Sequence, residues 1–439
     1  MAGRHQVRLG AANLLTVYLV LLFLIPAPMK VAVLGTAGHP ATIVSIGAFF
    51  WWCWHHLNRT ERLSFRTLPV RVAVLTLLIV VLFAYTHAML GPIPPDEVSP
   101  ADSGLLRMVG ATGVVVVATE GLGGMPRVLA VARRLSVAVG LVGVLAIVQF
   151  VTNQLWIDRL SVPGLTAVAG SLEIAGRGSL IRPSGTATHP IEMAAVLTMG
   201  LPLLITCARV APRYRTWYGV LSVAAAVALL LSVSRTGIVC GVVGLAVLVL
   251  GWSGRARVVG GLIGAAVLVV VYFTVPGLAG TLRGLFQGAA EDPSVQSRTG
   301  SYAVVTHLVG QSPFLGRGYG TFLPRYWILD NMYLQAVIEI GLIGLAALLG
   351  LVLTAMWSAL RAGRVATVRS ERETARAVLA GLMAGGVGLA LFDAFSFPES
   401  AGTLFLLIGL AGALHRIAVV RASGARIGAG HLSEATPPA

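Results

Sequence analysis

The stretch LLLSVSRTGIVCGVVGL, residues 229–245, sets one guanidinium, Arg235, between two runs that are otherwise almost wholly apolar. The same kind of run recurs along the whole chain. Of its 439 residues 56% are hydrophobic and only 11% charged, and the mean hydropathy is +0.85. No soluble globular domain of this length has that composition, so the chain reads as an integral membrane protein. The question is then why a membrane-spanning hairpin carries an arginine at its turn.

The net charge of +15 would suit a nucleic-acid binder if it were gathered on one basic domain. It is not gathered. The arginines are scattered between apolar blocks, which excludes nucleic acid as a partner and fits the excess of basic residues that cytoplasmic loops carry. Lys30 is the only lysine, and Ala, Val and Gly are abundant, a mark of GC-rich coding rather than of chemistry. Cys53, Cys207 and Cys240 lie in or beside apolar blocks. They read as buried thiols, not a disulfide framework, and have no metal-ligand spacing. Arg4 and Arg8 precede an apolar run from about Ala11 to Ile25; IPAPMKV follows without a clear small-x-small cleavage site, so a retained first span is expected.

A membrane span needs roughly 17–25 mostly apolar residues. Twelve segments qualify: 11–25, 40–57, 69–90, 104–121, 134–152, 189–208, 215–232, 235–252, 256–275, 331–358, 375–394 and 400–420. Alternate connections differ in charge, as such a count requires. With the N-terminus inside, the cytoplasmic segments are MAGRHQVR, NRTERLSFRT, PRVLAVARR, RVAPRYR, SGRAR, RAGRVATVRSERETAR and HRIAVVRASGAR, all with arginine. The outer connections include GPIPPDEVSPAD and DAFSFPES, which are acidic and rich in Pro and Ser. Both termini then lie in the cytoplasm. The outer segments 153–188 and 276–330 are long, and loops of that length are usually functional or disordered. The WWCWHH cluster at 51–56 ends the second span as an interfacial aromatic belt would. No soluble domain, heptad pattern or internal repeat is legible. The chain divides into 1–180, with five spans and the first long outer loop, 181–420, with the remaining spans and the outer loop 276–330, and a cytoplasmic tail, 421–439, expected to be disordered.

Arginines on the outer side run against this topology. They are Arg159, Arg177, Arg182, Arg235, Arg283, Arg298, Arg317 and Arg325. An arginine at membrane depth costs at least ~2.5 kcal/mol on insertion scales unless it snorkels or finds a partner. Glu192, Glu339 and Asp393 are the carboxylates that could pair with one of them. Several arginines converging from separate loops point instead to an anionic ligand, and the planar guanidinium fork suits a phosphate or diphosphate.

In ILDNMYLQAVIEIGLIG, residues 328–344, Asp330 and Asn331 stand where the long outer loop enters the tenth span. Asp330 can cap that helix, serve as a general base, or do both. Glu339 is an intramembrane carboxylate with Gln335 one turn earlier on the same face; it can bind substrate or neutralise an arginine. His189 precedes Pro190 at the start of the sixth span, with Glu192 close by, and His307 lies in the outer loop. For both, a structural role competes with a catalytic one. HExxH, Walker and dinucleotide signatures are absent.

Three pieces together resemble the family of O-antigen polymerases and O-antigen ligases, bacterial membrane transferases that act on polyprenyl-diphosphate-linked glycans. They are Arg182 and Gly185 followed by His189-Pro190, the turn Ser234-Arg235, and the outer loop ending SPFLGRGYGTF before DNMYLQAVIEIGLIG. The likeness covers roughly residues 180–400. It implies a GT-C-like, all-α membrane fold of about twelve helices in the bacterial plasma membrane, with the active site on the outer face and no metal or other cofactor. A hydroxyl of a glycan or lipid acceptor would displace the lipid diphosphate at the anomeric carbon of the donor glycan. By position, Arg235 and Arg298 would hold the diphosphate, Arg182, Arg317, His189, Asn331 and Glu339 would support substrate binding, and Asp330 would be the base. Ligases of the family have a His before that Asn; Asp330 in its place favours a polymerase. A ligase transferring finished glycan, or, in another class, a secondary transporter or lipid flippase, are the alternatives.

Overall fold

The computed structural model describes residues 10–58, 68–167, 175–177, 180–287 and 293–434; at 177, 279, 285–287, 293–299 and 422–434 it describes the backbone alone. Every expected span holds a helix: α1 (Ala11–Leu24), α2 (Pro40–Leu57), α3 (Pro69–Leu90), α4 (Pro95–Gly121), α5 (Met125–Thr152), α6 (Pro190–Val210), α7 (Arg215–Leu231), α8 (Arg235–Leu250), α9 (Gly254–Thr274), then α12 (Met332–Val365), α13 (Arg369–Leu389) and α14 (Pro398–Glu434). Between α9 and α12 the long connection forms α10 (Leu278–Gln287) and α11 (Pro293–Gln311). Among the described residues eight helices, α3 to α7, α9, α12 and α14, are long and apolar enough to cross a membrane; α1 and α8 are apolar but shorter. Of the other two, α2 ends on Trp54-His55-His56 and α13 opens on the charged RSERETAR.

Proline placement explains several of the starts. Pro40, Pro69, Pro95 and Pro190 stand at the first helical position, where the missing N–H costs nothing and φ is already suited to a helix. At the other end of the chain α14 runs on to Glu434.

The centre of the bundle is α6, which packs on α5, α7, α8 and α13, with α14 beside it against α4, α12 and α13. In lipid, helices associate by close packing of small residues rather than by hydrophobic exclusion. A Cβ at Gly113 of α4 would fall 2.5 Å from the carbonyl oxygen of Ser45 on α2, and one at Gly381 of α13 would fall 2.5 Å from that of Met199 on α6. By contrast α9 has a single buried residue, Val271, and packs mainly on α7.

The two ends of the bundle differ. At the end with short connections, arginines bind carboxylates and the last carbonyls of helices: Arg71 to Glu120 (3.1 Å), Arg421 to Glu371 (2.8 Å), Arg416 to the oxygens of Thr119 and Leu122, and Arg376 to that of Gly251. At the other end β1 (Met29–Lys30) pairs antiparallel with β2 (Thr166–Ala167), and β3 (Ala175–Arg177) pairs with β4 (Leu180–Arg182).

At that end α12 is broken. Gly341 has φ 67° and ψ −173°, so the helix loses its own hydrogen bonds there, and the preceding loop supplies replacements. Leu342 N–H donates to Pro313 O (2.8 Å), Arg317 N–H to Ile338 O (2.9 Å) and Gly318 N–H to Glu339 O (2.9 Å). Backbone this close excludes side chains, since a Cβ at Gly316 would lie 2.5 Å from the Glu339 carbonyl carbon and one at Gly341 only 2.1 Å from Phe314 O. The glycines of SPFLGRGYG and EIGLIG are thus the two halves of one clasp.

Candidate active site

The Ser-Arg turn is built under strain. Ser232 to Ser234 join α7 to α8, and Val233 takes φ 47°, a left-handed conformation that is costly for a β-branched residue. Ser234 Oγ accepts from Gly237 N–H (3.2 Å), capping α8, so Arg235 stands in its first turn, half-buried. The turn is braced from outside: Arg182 Nε, at the end of β4, donates to Ser232 O (2.8 Å). The first turn of α8 also rests on α6, for a Cβ at Gly237 would meet the Ala194 methyl at 2.7 Å.

His189 caps α6 through Nδ1, which accepts from Ile191 N–H (3.2 Å). Burial, and then the charge of Arg182, push its pKa down to about 4. The ring is therefore neutral at pH 7, and since Nδ1 accepts, the hydrogen-bond pattern assigns its proton to Nε2. Arg182, His189 and Arg235 thus gather at one corner from three separate segments. Glu192 lies beneath, fully buried. Its oxygens accept from the N–H groups of Thr188 and of Glu399 (2.8 Å each), so it caps α14 across the helix interface instead of pairing with an arginine.

A second group forms where α12 begins. Asn331 Oδ1 accepts from Tyr333 N–H (3.0 Å) and Leu334 N–H (3.1 Å). The cap considered for Asp330 is therefore Asn331, whose shorter reach to its own helix start suits it to that role. Asp330, half-buried, repels the carboxylate of Asp393 on the α13–α14 connection. Burial raises the Asp393 pKa most, and the Ser396 hydroxyl and Arg107 oppose that rise. Arg107, on α4, donates through Nη1 to Phe395 O (2.9 Å). Buried Tyr319 feels Arg107, Glu339 and Asp393 together, and burial raises its phenol. Asp330, Asp393, Arg107 and Tyr319 form one polar cluster.

The loop that carries Tyr319 and Asp330 is pinned to α4. Glu97, 1% exposed, accepts from Arg317 Nη2 (2.8 and 2.9 Å), from Arg325 Nη2 (3.3 Å) and from the Tyr326 hydroxyl. Arg325 also pairs with Asp96. Both guanidinium groups lie over the Tyr326 ring, at 4.6 and 4.7 Å. The carboxylates that meet these outer arginines are thus Glu97 and Asp96. Glu339, 2% exposed, spends its Oε1 on Phe322 N–H (3.4 Å) and Gln335 (3.3 Å), which ties the loop to α12.

Residues 220–349 match the O-antigen ligase family model, Wzy_C. No curated protein matches the chain. The matched segment runs from within α7 to just past the break in α12, so it holds Arg235, the whole α9–α12 connection, Asp330, Asn331 and Glu339. The resemblance drawn from the sequence therefore holds over this segment. Arg182 and His189 lie before it, and are joined to it by the Arg182–Ser232 bond.

Several site residues stand outside either group. Arg298 belongs to α11, but its side chain lies outside the described residues, as does that of Arg177. Arg159 covers Trp156 at 4.6 Å, and Arg283 is exposed. Among the described residues no three His, Cys, Asp or Glu side chains come together to hold a metal ion. The sequence did not single out Arg107 or Tyr319. Arg107 had a legible signal, being a charge inside an expected span. Tyr319 had none, because only the clasp on α12 carries it to Asp393.

Proposed function

We propose that the protein is a polysaccharide polymerase that joins polyprenyl-diphosphate-linked glycan repeat units on the outer face of the bacterial plasma membrane. The observation that carries this is the corner of Arg182, His189 and Arg235, held on a strained turn inside and beside the O-antigen ligase segment. In this reading the loop-rich end faces outward. The donor's diphosphate rests against Arg235, with Arg298 as its second arginine and Arg182 bracing the turn. An acceptor hydroxyl attacks the anomeric carbon, the bond from that carbon to the diphosphate oxygen breaks, and the diphosphate leaves with the electron pair. Asp330 takes the hydroxyl proton. Arginines fixed in advance where negative charge develops cost no reorganisation at the moment of reaction, which is the largest single contribution in many enzymes. Neutral His189 adds an N–H donor without competing for the anion.

Asp330 stands by Asp393, whose carboxylate it repels, and a general base is chosen first by its reach to the hydroxyl proton. The polymerase reading rests on Asp330 standing where ligases have a histidine. The ligase reading keeps the same site and changes the acceptor. Deleting the gene and weighing the lipid-linked intermediates decides between them. A polymerase loss accumulates single lipid-linked repeats; a ligase loss accumulates long lipid-linked chains. Unchanged intermediates would sink both.

A further inference from the structure

The loop that leads into α12 is held at four places, and the last of them leaves an aromatic face open. Residues 313–318 are bonded into the break of α12, Glu339 holds Phe322 N–H, and Glu97 holds Arg317, Arg325 and Tyr326. The fourth hold is Trp327, whose Nε1 donates to Ser301 Oγ on α11 at 3.0 Å. Ser301 is 1% exposed, so the polar edge of the indole is turned into the protein. The same edge lies on Gly300, where a Cβ would meet Cζ2 at 3.4 Å and a larger side chain would displace the ring. Trp327 nevertheless stays 37% exposed. What it offers is carbon surface in a locked orientation.

A tryptophan that anchors a protein in the membrane interface keeps its ring in the acyl region and its N–H in the wet headgroup layer. Trp327 has the opposite arrangement, since its N–H is already satisfied inside. A rigid aromatic face near polar groups is how binding sites hold ligands that have one apolar face and a polar rim. A pyranose ring is such a ligand, with axial C–H bonds on one side and hydroxyls around its edge. Trp327 is three residues before Asp330, at most roughly 10 Å along the chain, a distance that one or two sugar rings bridge.

We propose that Trp327 is the floor of an acceptor subsite, stacking a pyranose ring of the glycan whose hydroxyl Asp330 deprotonates. The proposal rests on the glycan-transfer reading above and adds the place where the acceptor sits. Tyr326 does not share this role, because Phe322, Arg317 and Arg325 already cover its ring. Ser301 and Gly300 are positioning residues for the indole.

The test uses the full-length protein in lipid nanodiscs. The probe is the oligosaccharide released by mild acid from the producing cell's own lipid-linked glycans, free of lipid and diphosphate. Titration should show saturable binding to the unsubstituted protein. Trp327→Ala should weaken it by about tenfold, and Trp327→Phe, which keeps a ring, by less than about threefold. Ser301→Ala, which frees the indole, should fall between them. Equal affinity for Trp327→Ala and the unsubstituted protein would overturn the subsite. So would quenching of the Trp327 fluorescence, taken as the difference from Trp327→Phe, by brominated acyl chains, which would place the ring in lipid. The two readings fail separately: Trp327-dependent oligosaccharide binding in a protein that forms no glycosidic bond removes the transferase reading and leaves a carbohydrate site in place.

Discussion

Arg235 sits where it does because Ser234 caps α8 and Val233 accepts a left-handed φ. Nothing in a plain hairpin requires a guanidinium at that point, and its removal is the most direct test of the chemistry. Arg235→Ala should lower glycan transfer by roughly 10²–10³-fold with the protein still folded, read from polymer formed by purified membranes. Arg235→Lys should recover little of this, since an ammonium cannot bond two oxygens in one plane. Polymer of normal length and yield from Arg235→Ala would refute the assignment. The pH behaviour of His189 is also specific. Its folded pKa, about 4, lies below the ordinary histidine value. The stability it contributes as a neutral ring is present above the unfolded pKa near ~6.5 and is lost as pH falls through the folded value. In ¹⁵N-histidine spectra this residue should not titrate between about pH 5 and 8. Arg182→Ala should raise its midpoint, but only in part, because burial is the larger cause. A His189 midpoint near 6.5 in the unsubstituted protein would contradict this account.

At the scale of elements, the break in α12 and the cross-helix cap of α14 hold the site together. Gly341→Ala would force a Cβ against Phe314 O in a backbone conformation that alanine resists. It should cost about 2 kcal/mol or more and release the loop carrying Tyr319 and Asp330. A lowered thermal midpoint in detergent, together with lost transfer, checks it. Glu192→Ala should leave the N–H groups of Thr188 and Glu399 without an acceptor, at about 1–3 kcal/mol each. Glu192→Gln, which keeps an oxygen, should be much milder. The ILDNMY motif shows how far such an element was readable in advance. A helix start near Asn331 was plain, and Asp330 was expected to be able to cap it. The share of work between Asp330 and Asn331 was not legible, because it depends on backbone dihedrals at the loop's end and on Asp393, more than sixty residues away.

For the molecule as a whole, the proposed orientation puts the β1–β2 ribbon outside and the α8–α9 turn inside. In a Cys53→Ser background, a cysteine at exposed Thr166 should react with a membrane-impermeant maleimide added to intact cells, and one at exposed Ser253 should react only after permeabilisation. The reverse pattern would invert the topology and move the arginine corner to the wrong face for a lipid-linked glycan. The remaining native cysteines, Cys207 and Cys240, are buried and should stay silent.

The apolar blocks by themselves determined that the chain is a helical membrane protein and roughly where its twelve apolar helices lie, because in lipid every backbone polar group must bond within its own segment. The alternation of arginines set out a topology, and the glycine-rich loop with its Asn-to-Gly-Leu-Ile-Gly helix start carried the family resemblance. The tertiary structure alone decided which charges meet. Arg317 and Arg325 find Glu97 and Asp96 across more than two hundred residues, and Arg107 reaches the α13–α14 connection. Glu192 serves a different helix from its own. Pairings of this kind follow from how helices pack side by side, and the order of residues along any one helix does not encode them.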